Sequence, residues 1–181
     1  MEIPTLENEI VRLMPLTIEN FKKLITISAE KDLLRYSPSS IETFPKLKDY
    51  VQNALDLAAA DACIPFIIFD KRVNRYAGCT RFGNIDEKNK VIHIGWTWIG
   101  REFQGTGLNT AVKYLMINYA FRTMKMEKIE FRIDDRNIRS RKAVEKLGAK
   151  LEGILRKNVY LPDGYKRNTC CYGILKEEWF R

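Results

Sequence analysis

The stretch REFQGTGLNT, residues 101–110, carries two glycines, Gly105 and Gly107, directly before an apolar run. The preceding residues 91–100, VIHIGWTWIG, are largely β-branched and aromatic, which predicts a strand inside a sheet. Apolar residues then recur at helical spacing over residues 108–121. The two glycines therefore lie between a strand and a helix N-terminus, where unpaired backbone N–H groups and the positive end of the helix dipole attract phosphate.

Two widespread phosphate-binding loops do not fit these glycines. A dinucleotide-binding loop needs a third glycine three positions after Gly107, where the chain has Thr110. The segment from Gly100 to Gly105 has the Walker spacing, but Thr106 stands where that loop needs its lysine. A phosphate loop here must belong to another class.

The rest of the chain predicts a mixed α/β domain built on one sheet. In chain order we expect a strand at 10–14, a helix capped by Thr17 and running to Ser28, a helix at 47–58, strands at 65–69 and 76–82, a polar connector at 83–90, a strand at 128–134, a helix at 140–147 ended by Gly148, and two strands around the turn at 162–164.

Length and composition limit the class of protein. A chain of 181 residues, 45% hydrophobic and 30% charged, is typical of one globular domain over residues 1–181. We expect no signal peptide and no membrane span, because the N-terminal stretch is acidic at its start and no apolar run approaches about 18 residues. The four cysteines lack CxxC spacing, so we expect no metal site, no disulfide and a cytoplasmic location.

The net charge favours an anionic partner. A formal charge of +8 with a pI near 9.3 suits nucleic acid, an acidic protein or a polyphosphate cofactor. The basic residues are scattered along the chain and do not form one block with interleaved aromatics, which disfavours nucleic acid. A nucleic-acid-binding domain stays a third hypothesis, and it predicts binding that weakens steeply with salt.

The order Gln104-Gly105-Thr106-Gly107-Leu108-Asn109, in its strand–loop–helix setting, resembles the loop that holds the pyrophosphate of acetyl-CoA in the GNAT (Gcn5-related N-acetyltransferase) superfamily. The segment DDRNIRSRKAVEKLGAKLEGILRK, residues 134–157, looks like the Asn-x-x-Ser…Glu-Lys-Leu-Gly…Glu-Gly region of members related to the ribosomal-protein N-acetyltransferases RimJ and RimL. The resemblance spans nearly the whole chain. It implies the GNAT fold, a mixed and mostly antiparallel sheet of about seven strands flanked by about four helices.

The resemblance also implies the partners. Acetyl-CoA is the expected co-substrate, without a metal, and an amine is the acceptor, with a protein N-terminal amine first and a polyamine or aminoglycoside as the alternative. A homodimer is possible. The residues implied in cofactor binding are Trp98, Ile99, Gln104, Gly105, Thr106, Gly107, Leu108, Asn109, Thr110, Asn137 and Lys142.

The chain departs from the family pattern at three positions. Asn109 stands in place of the final Gly or Ala of the loop, Ala149 where an aromatic is common, and Val144 where many members carry a tyrosine acid. These departures leave a non-catalytic acyl-CoA-binding domain as an alternative function.

Two side chains are candidates for the chemistry, since acetyl transfer needs a neutral amine and a proton for the departing thiolate. His93 is the only histidine, and it lies eleven positions before Gln104. Many GNAT members have a glutamate base at the position that His93 occupies. The alternative is that His93 has no part in the chemistry and only makes structural hydrogen bonds. Ser140 matches the family serine and would orient or protonate the thiolate; its alternative is the N-cap of a helix starting at residue 141, and one hydroxyl can serve both purposes.

The remaining candidates surround the 91–100 strand. In a regular strand, Trp96 and Trp98 point away from the face of His93, Gly95 and Thr97. By resemblance, backbone N–H groups near Trp98 and Ile99 stabilise the oxyanion. The candidates for the acceptor pocket are Tyr36, Arg81, Phe82 and Tyr165, and Arg139 and Arg141 could approach the cofactor phosphates.

Overall fold

The structure, a computed structural model, describes residues 3–180. One sheet contains β1 (Leu6–Glu7), β2 (Val11–Pro15), β3 (Cys63–Asp70), β4 (Arg75–Asp86), β5 (Val91–Ile99), β6 (Lys128–Asp134), β7 (Lys150–Tyr160) and β8 (Lys166–Leu175). Its order is β1-β2-β3-β4-β5-β6-β8-β7, and only β5 and β6 pair in parallel. The predicted mixed, mostly antiparallel fold is confirmed. The additional strand is β1, which is too short to show an alternating pattern.

The helices are α1 (Ile25–Ser28), α2 (Phe44–Ala59), α3 (Leu108–Arg122), α4 (Ile138–Glu145) and α5 (Lys176–Trp179). The helix predicted to begin at Thr17 starts instead as a 3₁₀ turn over Asn20–Leu24, although the Thr17 hydroxyl does accept the N–H groups of Glu19 and Asn20, each at 3.2 Å. Helix α5 was not predicted, because four residues show no period.

Helices α2 and α3 cover opposite faces of the sheet. Tyr50 of α2 lies against Cys79 and Arg81 of β4. Met116 of α3 contacts Thr80, the residue between them. Because successive side chains of a strand point to opposite faces, the two helices lie on different sides, called below the α2 face and the α3 face.

Phe82 belongs to the core of the α3 face and not to an acceptor pocket, which corrects its predicted role. Its side chain is fully buried. The ring centroid lies 6.1 Å from that of Phe66 and 6.2 Å from that of Tyr119 in α3. The sequence places Phe82 near the end of a strand, but only the alternation of side chains along β4 shows that Phe82 lies on the α3 face.

Replacing Phe82 with alanine should destabilise the protein by about 3–5 kcal/mol, because the cavity left between sheet and α3 cannot collapse fully. Denaturant unfolding measures the change. Val73→Ala is the matched control, since Val73 is 54% exposed and its loss should change the free energy of unfolding by less than about 0.5 kcal/mol. A Phe82→Ala variant as stable as this control would contradict the assignment of Phe82 to the core.

Candidate active site

A wedge opens between the two parallel strands. β5 and β6 pair only through Val91, Ile92 and His93 with residues 128–130. Beyond that point β5 pairs with β4 alone and β6 with β8 alone. Gly100 N–H donates to Ala77 O on the β4 side at 2.9 Å, so by alternation the N–H of Ile99 points into the wedge. The N–H of Trp98 then points towards β4.

A β-bulge shapes the β5 side of the wedge. Cys79 pairs with Trp98 and Arg81 pairs with Gly95, so Trp96 and Thr97 together oppose the single residue Thr80. Trp96 has a φ of 51°, which a regular strand never uses. The bulge brings the His93 and Trp96 rings to a centroid distance of 5.5 Å on the α2 face. The prediction that His93 and Trp96 point apart is therefore wrong, since it assumed an unbroken strand.

The Trp96 indole lies against Gly83 of β4. A Cβ at Gly83 would stand 2.7 Å from the indole Cη2. The side chain of Thr97 points to the other face, where its hydroxyl lies 2.7 Å from that of Thr80. Gly83 thus makes room for Trp96, and the bulge is fixed on both faces of the sheet.

His93 is held neutral at the closed end of the wedge. It is 7% exposed, and Asn84 Nδ2 lies 3.2 Å from His93 Nδ1. With the amide nitrogen as donor, Nδ1 accepts and Nε2 carries the proton. Burial, helped by the charges of Arg132 and Lys113, lowers the pKa of His93 to about 4. At neutral pH the imidazole is an unprotonated but weak base.

Open N–H groups surround the N-terminus of α3. Gly105 and Gly107 have φ values of 76° and 84°, and no heavy atom lies within 4 Å of the position of a Cβ at either. The Gln104 N–H donates to Arg101 O at 3.1 Å, and the Leu108 N–H approaches the Thr106 hydroxyl at 3.4 Å. Within residues 3–180 the following loop N–H groups have no partner: Gly105, Thr106, Gly107, Asn109 and Thr110. The open N–H groups that the glycine spacing predicts at the start of α3 are therefore present, and they make up what is called below the phosphate-type loop.

Side chains brace this loop from two directions. Gln104 Nε2 donates to Ile99 O at 2.8 Å, and Arg139 of α4 donates to Gln104 Oε1. The Gln104 side chain thus links α4 to the end of β5. Arg72, in the turn after β3, donates to Thr106 O at 2.9 Å. Sequence reasoning misses this contact of Arg72, because 34 residues separate it from the loop.

A cavity of about 290 Å³ lies on the outer side of the same loop. It is lined by Asp70, Arg72, Val73, Arg75, Glu102, Phe103 and Thr106. Both of its cations are already neutralised, Arg72 by Asp70 at 2.7 Å and Arg75 by Glu102 at 2.5 Å. The cavity is therefore a poor anion site, and the open N–H groups are the better one.

Asn137, and not Ser140, caps α4. Its side-chain oxygen accepts the Ser140 N–H at 3.2 Å, and the helix begins at Ile138. The alternative that Ser140 is the N-cap is wrong, because the helix starts before it and Ser140 is its third residue. The half-buried Ser140 hydroxyl makes no hydrogen bond to any group in residues 3–180. Lys142 is exposed on the same helix, and Val144 is buried in the core.

Arg81 is a buried cation without a counter-ion. It is 3% exposed, and its guanidinium carbon lies 4.7 Å from the Tyr50 ring centroid and 5.0 Å from that of Trp96. No carboxylate in the described part of the chain pairs with it. Burial raises the pKa of the neighbouring Cys79 thiol to about 12, so that thiol stays uncharged. The α2 face of the bulge is therefore electropositive.

Tyr36 and Tyr165, two other predicted pocket residues, meet at the end of β6. The guanidinium carbon of Arg136 lies 3.7 Å from the Tyr165 ring centroid and 5.5 Å from that of Tyr36. Arg136 is paired with Asp134 at 2.8 Å. The next carboxylate, Asp135, accepts from Asn168 through Oδ2, while its buried Oδ1 has no partner among residues 3–180.

Between residues 3 and 180, every helix is too short or too polar to cross a lipid bilayer. That range holds no group of three His, Cys, Asp or Glu side chains placed to bind a metal ion.

Known proteins match the chain over most of its length. Residues 11–150 match the family described as "Acetyltransferase (GNAT) domain". The chain is 29% identical over 145 residues to "Putative ribosomal N-acetyltransferase YdaF" of Bacillus subtilis (strain 168), across 79% of this chain and 75% of that protein. A GCN5-related N-acetyltransferase structure from Brucella melitensis matches with a TM-score of 0.89 and 26% identity, over 99% of this chain and 81% of that one.

A third match shows the fold alone. Spermidine N-acetyltransferase from Vibrio cholerae, in complex with CoA and spermine, has a TM-score of 0.79 at 17% identity. The match covers 96% of this chain and 100% of that one.

The lowered pKa of His93 predicts a loss of stability in acid. The unfolded chain binds a proton near pH 6.5 and the folded one only near pH 4, so stability falls as the pH drops through this window. Between pH 7 and pH 5 the loss due to His93 should be about 2 kcal/mol. Denaturant unfolding of the native protein and of His93→Gln at both pH values measures it, because the difference between the proteins cancels other titrating groups. An equal loss in both would contradict a buried neutral imidazole.

Proposed function

The chain belongs to the GNAT acetyltransferase family and is an N-acetyltransferase, and we propose that its acceptor is the α-amine of a protein N-terminus. We further propose direct transfer within a ternary complex, as in the RimJ and RimL branch, by a single domain in the cytoplasm. The observation that carries the proposal is the set of open N–H groups beside a wedge whose walls are electropositive. Proteins of this family use acetyl-CoA.

The loop fits the diphosphate of that cofactor. Gly105 and Gly107 have no side chains to cover the backbone, so a bulky anion can approach the open N–H groups at the positive end of α3. Asn109 contributes its backbone N–H, which does not require the glycine or alanine usual in the family. Lys142 is exposed on α4 and can add a positive charge. Acetyl-CoA supplies an activated acetyl group, and the wedge extends from this loop towards His93.

The wedge offers the groups that acetyl transfer needs. We assign the N–H of Ile99 to the carbonyl oxygen or the pantetheine arm, since it points to the side that β6 leaves free. Trp98 would contribute through its indole, because its Nε1 is buried and has no partner among residues 3–180. Asn137 has a free amide group beside its capping oxygen and can donate to the same arm.

The electrostatics of the wedge favour an acceptor that is easily deprotonated. Burial, with a smaller contribution from the charges of Arg132 and Lys113, lowers the pKa of His93, and a bound ammonium would be subject to the same effects. An α-amine has an ordinary pKa of about 7.8, against about 10.4 for a side-chain ammonium. Neutralising the α-amine at pH 7 therefore costs about 3.5 kcal/mol less than neutralising a side-chain ammonium. The name of the Bacillus subtilis relative, a putative ribosomal N-acetyltransferase, is compatible with a protein acceptor.

A polyamine is the second candidate, and it rests on the fold shared with the spermidine enzyme. It would need carboxylates for its additional charges. Asp134 is neutralised by Arg136, and Asp135 offers a single free oxygen. A single carboxylate oxygen can pair with one ammonium group, whereas a polyamine carries several.

His93 and Ser140 keep their proposed roles. His93 would accept the proton from the acceptor, directly or through water, since its lowered pKa leaves the imidazole unprotonated at neutral pH. Ser140 has a hydroxyl without a protein partner at the start of α4, which can donate a hydrogen bond to the departing sulfur. With Val144 buried in the core, no tyrosine acid is available at that position.

Gly107→Val should weaken CoA binding at least about tenfold, because the side chain would occupy the approach to the loop N–H groups and strain a residue at φ 84°. Isothermal calorimetry measures the affinity. Gly164→Val is the matched control, since Gly164 has φ 82° and the same free space but lies in the turn between β7 and β8. Equal affinities for CoA in the two variants would remove the loop from the cofactor site.

An acetyl-CoA thiol-release assay at pH 7.5 over peptides with free N-termini, polyamines and aminoglycosides tests the acceptor. We expect kcat/KM to be at least about 100-fold higher for the best peptide, because its amine is easier to neutralise. The same peptide with a blocked N-terminus and a free lysine is the control. Faster acetylation of spermidine would refute the peptide assignment, and thermal stabilisation by acetyl-CoA without turnover of any amine would favour a non-catalytic domain.

A further inference from the structure

Lys113 is a buried cation to which the proposed function assigns no positioning role. It lies on α3, one turn after Asn109 of the phosphate-type loop, and is 5% exposed. Its Nζ donates to the hydroxyl of Thr97 at 2.6 Å, and no carboxylate among residues 3–180 pairs with it. A lone ammonium in a protein interior is unfavourable, since it loses hydration without gaining a counter-charge.

The groups around Lys113 include no unpaired carboxylate among residues 3–180. On its own face, β4 brings Thr80 and β6 brings the apolar Ile129 and Phe131. Across the sheet, β5 brings His93 and β6 brings Arg132, both neutral or positive. The one nearby carboxylate, Glu130, pairs on β6 opposite His93 and lies within 4 Å of Lys128 and Arg132. Burial accordingly lowers the pKa of Lys113 to about 7.

The contact with Thr97 connects this charge to the bulge. An ammonium only donates, so the Thr97 oxygen accepts, and its own proton goes to Gly95 O at 3.3 Å or to the Thr80 hydroxyl at 2.7 Å. Gly95 and Thr97 flank Trp96, the residue with the positive φ. Lys113 thus fixes the bulged backbone from the α3 face, beneath the free edge of β5.

We propose that Lys113 is a positioning residue for acetyl transfer, which acts through Thr97 to hold the bulge in place and to keep a positive charge beneath the wedge for the anionic cofactor and the departing sulfur. The inference rests on the proposed function. In the transfer, the acceptor nitrogen forms a bond to the acetyl carbon, the carbon–sulfur bond breaks, and its electron pair leaves on sulfur. The surplus proton of the nitrogen goes to the base or to water, and Lys113 keeps its own protons.

Cofactor binding should therefore be linked to protonation of Lys113. At pH 8 the free protein holds this side chain mostly neutral, and bound negative charge favours the ammonium form. Calorimetry of CoA binding at pH 8, in two buffers of different ionisation enthalpy, should show an uptake approaching one proton. Lys113→Met should abolish the uptake, whereas Lys48→Met, which removes an exposed charge on α2, should retain it.

Stability and rate provide the second readout. Lys113→Met should raise Tm by about 3 °C or more, since it removes a buried charge, and should lower kcat about 10- to 100-fold. It should also weaken CoA binding at pH 8 by about tenfold, because the proton taken up on binding strengthens that binding. Thr97→Val should lower kcat to a similar extent, and the double variant should be no slower than the single ones, because both changes break one link.

The outcomes separate the two proposals. Unchanged proton uptake in Lys113→Met, a native kcat, or a lowered Tm with a proportional loss of all activity would overturn the role of Lys113 alone. Absence of any CoA binding to the native protein would overturn the proposed function and this inference with it.

Discussion

The parallel pairing of β5 and β6 stops after three residues, and the rest of the site depends on this limit. Had the pairing continued past His93, the N–H of Ile99 would be bonded to β6, and no gap would lead from the α3 N-terminus into the sheet. The sheet is otherwise closed by antiparallel neighbours on both sides of the gap. The wedge is thus an unpaired strand edge inside a domain. Its position protects it from aggregation, and its backbone groups are available to a ligand that forms hydrogen bonds as a strand would.

The bulge explains how the gap persists in a packed domain. It is held on the α2 face by the Tyr50 hydroxyl, which donates to Trp96 O at 3.2 Å, and on the α3 face by Lys113 through Thr97. The same arrangement concentrates positive charge, because Arg81 and Lys113 are buried without carboxylate partners in the described residues. Charge that is unfavourable for folding is thereby placed where, under the proposed function, it would act on an anionic cofactor and on a titratable amine.

The sequence predicts the local parts of this design and misses the long-range ones. The glycine spacing identifies the loop, and strand β6 has the predicted bounds of 128–134, because both depend on neighbours along the chain. The sequence does not predict the bulge at Trp96, since it arises from the register with β4, and the bulge places the Trp96 ring on the same face as His93. Lys113 was missed for a related reason: a lysine in a helix suggests an exposed side chain, and only the packing of α3 against Thr97 shows it to be buried.

The central claim is that backbone N–H groups of the loop hold the cofactor diphosphate, and amide NMR tests it most directly. A ¹⁵N–¹H titration should be run with CoA and, in parallel, with pantetheine, which lacks the diphosphate. The account predicts large shifts at the open loop amides (Gly105, Thr106, Gly107, Asn109 and Thr110) with CoA and none there with pantetheine. Shifts confined to other parts of the protein, or the same loop shifts with both compounds, would contradict it.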